Sequence, residues 1–281
     1  MSILNKIFRK RKENKKVNKN SFTKIALAKG EINVYDFGSV KLHAYKTNDF
    51  IEDEVFFFEK SGRVVALEAP CFYDNYDEII QYFAAQGLAV NAMLIAYHLC
   101  GGTFLPNVKK YSTANAVEYG TAGGGKALGD KFTAAFGAAF DAKPHEITDV
   151  IGAGRIRLCG IDFDITVTHD AFDVVIPEIN AVYTHMLGHD CHSIVAGAGH
   201  AAAMIAQLNE YLEKGYTLVL TSHYTPEDLK DVQTKIDYLN DLKGIASRCK
   251  DAASFKAEMQ KKYPGYSGGN YLDMTAGFFF A

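Results

Sequence analysis

Three apolar runs in this chain each stop at a histidine. Val90 to Ala96 leads into Tyr97-His98, Ala181 to Tyr183 into Thr184-His185, and Tyr216 to Ser222 into His223. Short continuous apolar runs read as strands buried on both faces. A polar imidazole at the end of such a strand needs a partner, because desolvating it alone costs a few kcal/mol. A fold that repeats this three times is expected to bring the strand ends to one edge, where loops on a rigid scaffold carry chemistry. Four of the nine histidines, His185, His189, His192 and His200, fall between residues 180 and 200, with Asp190 and Cys191 among them. The i, i+4, i+7 spacing of His185, His189 and His192 would align them on a helix, but Gly188 and the preceding strand favour a loop.

The order of elements bounds the architecture. Ile32 to Phe37, Val40 to Tyr45, Glu54 to Glu59 and Arg63 to Glu68 read as an antiparallel meander with turns at Gly38-Ser39 and Ser61-Gly62. A helix is expected over Asp74 to Gln86, stopped by Gly87, and a central strand over Val90 to Tyr97. Thr113 to Tyr119 reads as a short helix, Gly120 to Gly125 as a glycine-rich loop and Lys126 to Phe140 as a helix with Phe132, Phe136 and Phe140 on one face. Strands return at Ile147 to Ile151, Arg155 to Cys159, Ile161 to Thr168 and Phe172 to Ile176. Later helices are expected over Ala201 to Leu212, Pro226 to Leu242 and Ser254 to Lys262, with Pro226 in a first turn. The apolar end, from Leu272 to Ala281, is expected to pack on the core. Each half runs strands, helix, strand, helix. This order fits an α/β (α+β) fold: an αββα sandwich of two mixed sheets with outer helices.

Composition sets the partners. Residues 1–20 hold eight Lys or Arg and one Glu, whereas the whole chain has a net charge of −3. The body is therefore acidic, and no nucleic-acid partner is expected for it. We read residues 1–22 as a basic, disordered tail before a single domain over 23–281. Ile3, Leu4, Ile7 and Phe8 leave open a weak contact of the tail with an anionic membrane. Five cysteines with no CxxC pair suggest a reducing compartment and a cytoplasmic location.

The late segment YTLVLTSHYTPEDLKDVQTKIDYLNDL and the segment Leu94-Ile-Ala-Tyr-His-Leu-Cys-Gly-Gly resemble the metallo-β-lactamase fold superfamily, as does the order of elements from about 30 to about 280. Ser222-His223 stands where that family places a Gly-His loop. His98 and Gly101-Gly102 stand where it places His-x-His-x-Asp-His followed by glycines, but the other ligands of that motif are missing. The nearest counterpart of the family's middle histidine is His169. Where the family has a bridging aspartate, this chain has Thr184-His185-Met186. The resemblance implies a divergent member with a degenerate metal motif, and a small-molecule substrate or ligand.

From the residues, His98, His185, His189 and His223 are candidate ligands of a rearranged, one-metal site for zinc or another divalent cation. The competing reading is a cluster of buried histidines paired to carbonyls and acids. Asp190 and His189 are candidate proton-handling groups, and Tyr97, Tyr224 and Cys100 candidate pocket residues. Glu68, Asp74 and Asp77 could line the same edge or cap a helix. Gly120 to Lys126 fits G-x-x-x-x-G-K, but Ala127 replaces the hydroxyl residue and no buried strand precedes it, so a hinge or lid is the better reading. The chain is expected to be a metallo-β-lactamase-fold hydrolase with an altered site; the alternative is a non-catalytic relative that binds a small ligand or a protein.

Overall fold

The computed structural model describes residues 17–280. The expected membrane contact of Ile3, Leu4, Ile7 and Phe8 lies outside the described residues. Two sheets form, and alternation along their strands explains why they stack. The first has eight strands: β1 (Phe22–Ala26), β2 (Glu31–Asp36), β3 (Lys41–Lys46), β4 (Glu54–Lys60), β5 (Arg63–Leu67), β6 (Val90–Leu94), β7 (Lys109–Thr113) and β8 (Asp149–Ile151), in that spatial order. The strands β1 to β5 are an antiparallel meander, and β5 to β8 pair in parallel. The second sheet comprises β9 (Gly154–Leu158), β10 (Ile161–Val167), β11 (Phe172–Ile176), β12 (Ala181–Thr184), β13 (Leu218–Thr221) and β14 (Tyr224–Glu227). Only its β12–β13 pair is parallel.

Leu42, Phe56, Phe58 and Leu67 meet Phe163, Val174, Tyr183 and Leu220 between the sheets. The alternate residues Tyr45, Phe57 and Ala66 pack outward with Ile79 and Phe83 of α1 (Tyr76–Ala85). Val182 and Val219 do the same against α4 (Ala198–Lys214), α5 (Leu229–Ala246), α6 (Ala252–Lys262) and α7 (Gly269–Phe280). The αββα sandwich expected from the order of elements is therefore the architecture found.

Some local expectations are corrected. The first strand, β1, starts at Phe22 and pairs with β2, and Lys19 just before it forms an ion pair with Asp231. Pro226 does not open a helix. It sits in β14 at the sheet edge, where its missing N–H is tolerated. The helix begins at Leu229, because the Asp228 carboxylate accepts from the Lys230 and Asp231 amides while Asp231 returns a bond to the Asp228 amide. The glycine-rich stretch is largely helical: α2 (Ala114–Thr121) and α3 (Gly124–Phe136) are joined by Ala122 and Gly123 alone. Helix α3 stops at Gly137, whose φ of +54° no other residue adopts as readily.

Candidate metal centre

The loops after β6, β12 and β13 converge at one edge of the sandwich. His98 Nε2 lies 3.2 Å from His185 Nε2, and His223 Nε2 lies 3.3 Å from the same atom. Zinc–imidazole bonds of about 2.0–2.1 Å at tetrahedral angles place ligand nitrogens roughly 3.3 Å apart. Both pairs that include His185 already have that spacing, and all three ligand atoms lie within 4.8 Å of one another.

The outer faces of the rings decide where their protons sit. His223 Nδ1 is 3.2 Å from the Ile51 carbonyl oxygen and 3.2 Å from Asp53 Oδ1. The hydrogen is directed at the carbonyl, and the carboxylate adds charge. His98 Nδ1 is 3.6 Å from the same Asp53 oxygen. Acceptors on the Nδ1 side of His98 and His223 favour the proton there and turn their Nε2 lone pairs toward His185 Nε2. One proton on His185 Nε2 can satisfy only one of the two neighbouring rings, so three converging Nε2 atoms suit a shared cation. Burial, with the neighbouring His223 and His98, holds His185 far below the ordinary imidazole range, so it stays neutral as a ligand must. His223 is desolvated too, but Asp53 outweighs that and raises it. Asp53, fully buried, is held low despite its burial by His98 and His223.

Glu68 fixes this edge. It follows β5 with φ of +65° and is fully buried. Its carboxylate accepts the amides of Ala96 (3.2 Å), Tyr97 (2.7 Å) and His98 (3.3 Å). It also accepts the Tyr183 hydroxyl at 2.7 Å, which in turn accepts from Ser222 at 2.6 Å. One acid thus ties the ends of β5, β6, β12 and β13. A further link, the Glu54 amide to the Ser222 carbonyl at 2.7 Å, joins the sheets directly. Tyr97 stacks on His185, with centroids 4.6 Å apart, and its hydroxyl meets Thr168.

The other candidates lie elsewhere. His189 is outside the trio: Nδ1 is 2.8 Å from Glu227 and Nε2 is 3.4 Å from Asp231. Both acids raise its pKa, the Glu227 hydrogen bond most. Asp190 is exposed and faces the Tyr224 hydroxyl. Tyr224 packs edge-on to His189 and lines a polar cleft with Lys19, Asn33 and Asp231. A Cβ on Gly188 would come within 2.1 Å of the Tyr224 ring, so that position needs glycine. Cys100 pairs by backbone with Pro144 and sits against Gly129 of α3, outside the trio. His192 bonds to Tyr238, and His200 accepts the Ala196 amide at the start of α4. His169, the expected counterpart of the family's middle histidine, is 99% exposed and pairs with Asp170. Asp74 is exposed and pairs with Lys29, and Lys126 of the glycine-rich stretch pairs with Asp130. Asp53 was not foreseen: it lies in a loop, far in sequence from every histidine it faces.

The fold as a whole is similar to metallo-β-lactamase structures. A metallo-β-lactamase family protein from Thermus thermophilus superposes with a TM-score of 0.59 at 10% identity, over 86% of this chain and 91% of that one. A stereoselective inverting sec-alkylsulfatase from Pseudomonas sp. gives 0.56 at 12% identity, over 84% of this chain and 48% of the other. A metallo-β-lactamase from Erythrobacter litoralis gives 0.51 at 12% identity, over 78% and 96%. No family model and no curated protein matches the sequence significantly. The chain has the metallo-β-lactamase fold.

Proposed function

We propose that this protein is a hydrolase acting on a small molecule with one divalent cation, zinc by the preference of imidazole, held by His98, His185 and His223. The observation that carries this is the 3.2 and 3.3 Å spacing of His98 and His223 Nε2 from His185 Nε2, with the two outer rings oriented from behind by Asp53 and Ile51 and the central ring stacked on Tyr97. When bound, such a cation supplies Lewis acidity, which polarises a carbonyl, sulfuryl or phosphoryl oxygen and lowers the pKa of water. The chain does the rest. Ile51 and Asp53 keep the Nδ1 protons in place, Glu68 fixes the His98 loop, and Tyr97 limits the tilt of the His185 ring. Asp190, an exposed acid on the loop that carries His185, remains the proton-handling candidate. His189 holds that loop through Glu227 and Asp231.

Metal analysis of the full chain after gentle purification tests the reading. The expected result is metal that His98→Ala, His185→Ala and His223→Ala each release, together with hydrolysis of at least one substrate in a panel of β-lactams, secondary alkyl sulfates and aryl esters. The β-lactams and alkyl sulfates follow the names of a metallo-β-lactamase and a sec-alkylsulfatase with this fold, and the esters add a generic hydrolysable bond. A chain that neither retains nor takes up Zn²⁺, Mn²⁺ or Fe²⁺ is instead a ligand-binding relative of the fold.

A further inference from the structure

A second group of donors lies on the other side of the His98 and His223 rings. Ligand atoms of Asp49, Asp53 and Cys71 fall within 4.8 Å of one another. All three side chains are buried, with relative exposures of 8%, 0% and 3%. The loop before β4 builds the site: Asp49 Oδ1 accepts the Ile51 amide at 3.0 Å and the Asp53 amide at 3.3 Å. The Cys71 thiol donates to Asp53 Oδ2 at 3.4 Å. That leaves Asp49 Oδ2 and Asp53 Oδ1 buried with no hydrogen-bond donor.

The imidazoles offset the Asp53 charge, but Asp49, buried beside it with a free Oδ2 and pushed up to about 6 by burial and then by Asp53, stays costly to ionise unless something positive sits there. The nearest basic groups are the imidazoles, but they turn their Nδ1 atoms toward Asp53 and their Nε2 atoms away from it. A cation shared by the Nε2 trio therefore cannot reach the Asp49 oxygens, so the two donor sets are separate. Zinc bonds carboxylate oxygen at about 2.0–2.2 Å and thiolate sulfur at about 2.3 Å, which places ligand atoms roughly 3.3–3.8 Å apart. The trio of Asp49, Asp53 and Cys71 would close by about an ångström to meet that spacing.

We propose that Asp49, Asp53 and Cys71 form a second, buried three-donor cation site that takes one thiophilic divalent ion. On binding, the Cys71 S–H bond breaks, a sulfur–metal bond forms, and the proton leaves to solvent; no electron is transferred. The ion neutralises the two carboxylates and fixes the 49–53 loop, which carries the Ile51 and Asp53 acceptors facing His223. Its role is structural, because the three donor side chains, two from the 49–53 loop and one from the segment after β5, are themselves buried although Phe50 and Glu52 between the two aspartates are exposed. This proposal does not depend on the hydrolase reading.

Titration of the metal-free full chain with Co²⁺, followed by absorption, tests it. The expected result is uptake of two equivalents, with a near-ultraviolet thiolate-to-cobalt charge-transfer band. Cys71→Ser should lose that band and one equivalent, while the visible bands of the imidazole site persist. Asp49→Asn should lose the same equivalent. His185→Ala should lose the other equivalent and keep the thiolate band, so failure of the imidazole site is distinguishable. Absence of a thiolate band in the saturated wild-type chain, a measurement that needs no variant, overturns the proposal. So does a band that survives Cys71→Ser, which would place the thiolate on another cysteine.

Discussion

The Glu68 carboxylate in the first sheet accepts the Tyr183 hydroxyl of the second at 2.7 Å, in the same buried cluster that holds the Ala96, Tyr97 and His98 amides. Tyr183→Phe removes one donor and leaves Ser222 without its acceptor, so a loss of about 1–3 kcal/mol is expected. Glu68→Gln should cost more, because the amide NH₂ must then face at least one backbone N–H donor, Tyr97 on one side or Ala96 and His98 on the other, and the carboxylate charge that strengthens all four bonds is lost. Urea melts of both variants check the order; equal stability to wild type in Glu68→Gln would remove Glu68 from this role.

His185 and His189 are four residues apart but belong to different groups. His185→Ala should release the imidazole-bound cation, because it contacts both other rings. By contrast, His189→Ala should retain that cation and lose stability instead, since it strips a partner from Glu227 and Asp231. Metal stoichiometry beside a thermal melt of each variant separates the two; release of metal by His189→Ala would merge the groups.

Acid should weaken this fold through His145. Its ring is buried with neither nitrogen hydrogen-bonded, and burial, aided by the Lys110 charge, pushes its pKa down to about 3. In the unfolded chain it titrates near 6.5. The unfolded state therefore binds more protons between those values, and stability is lost as pH falls from about 6.5 toward 3. Replacing it, as in His145→Gln, should flatten the slope of stability against pH by about one proton in that window. Chemical unfolding at several pH values measures it, and an unchanged slope would show that His145 finds a partner.

Gly188→Ala should displace the loop that carries His189, because the new Cβ would come within 2.1 Å of the Tyr224 ring. Overpacking of this kind costs about 1–3 kcal/mol. The double variant Gly188→Ala/Tyr224→Ala should recover part of that loss, and strict additivity in the cycle would show that the two residues do not meet.

How far the sequence foretold the structure depended on whether the signal was local. The strand-end histidines were legible, because a polar group closing a buried strand is visible within a few residues. The sandwich was legible too, since strand order and apolar alternation determine which faces must be covered. Asp53 gave no local signal: its partners are His98 and His223, which only the tertiary fold brings near. Glu68 was noticed but not understood, because its role depends on a positive φ and on amides about 30 residues away. Pro226 misled by its ordinary preference for a first helical turn. The pattern Asp228-Leu-Lys-Asp231, a reciprocal cap, marked the true start and carried the better signal.

His98 hangs from one sheet, while His185 and His223 hang from the other. A cation gripped by all three is therefore a latch across the sandwich, and loading it must tighten the docking of the halves by the same free energy that the halves lend to metal affinity. At a free metal concentration 100 times the Kd this is about 2.7 kcal/mol. The Glu54 amide, which crosses between the sheets to Ser222 without touching the metal, becomes a remote gauge of occupancy: its exchange with deuterium should slow when the latch is closed.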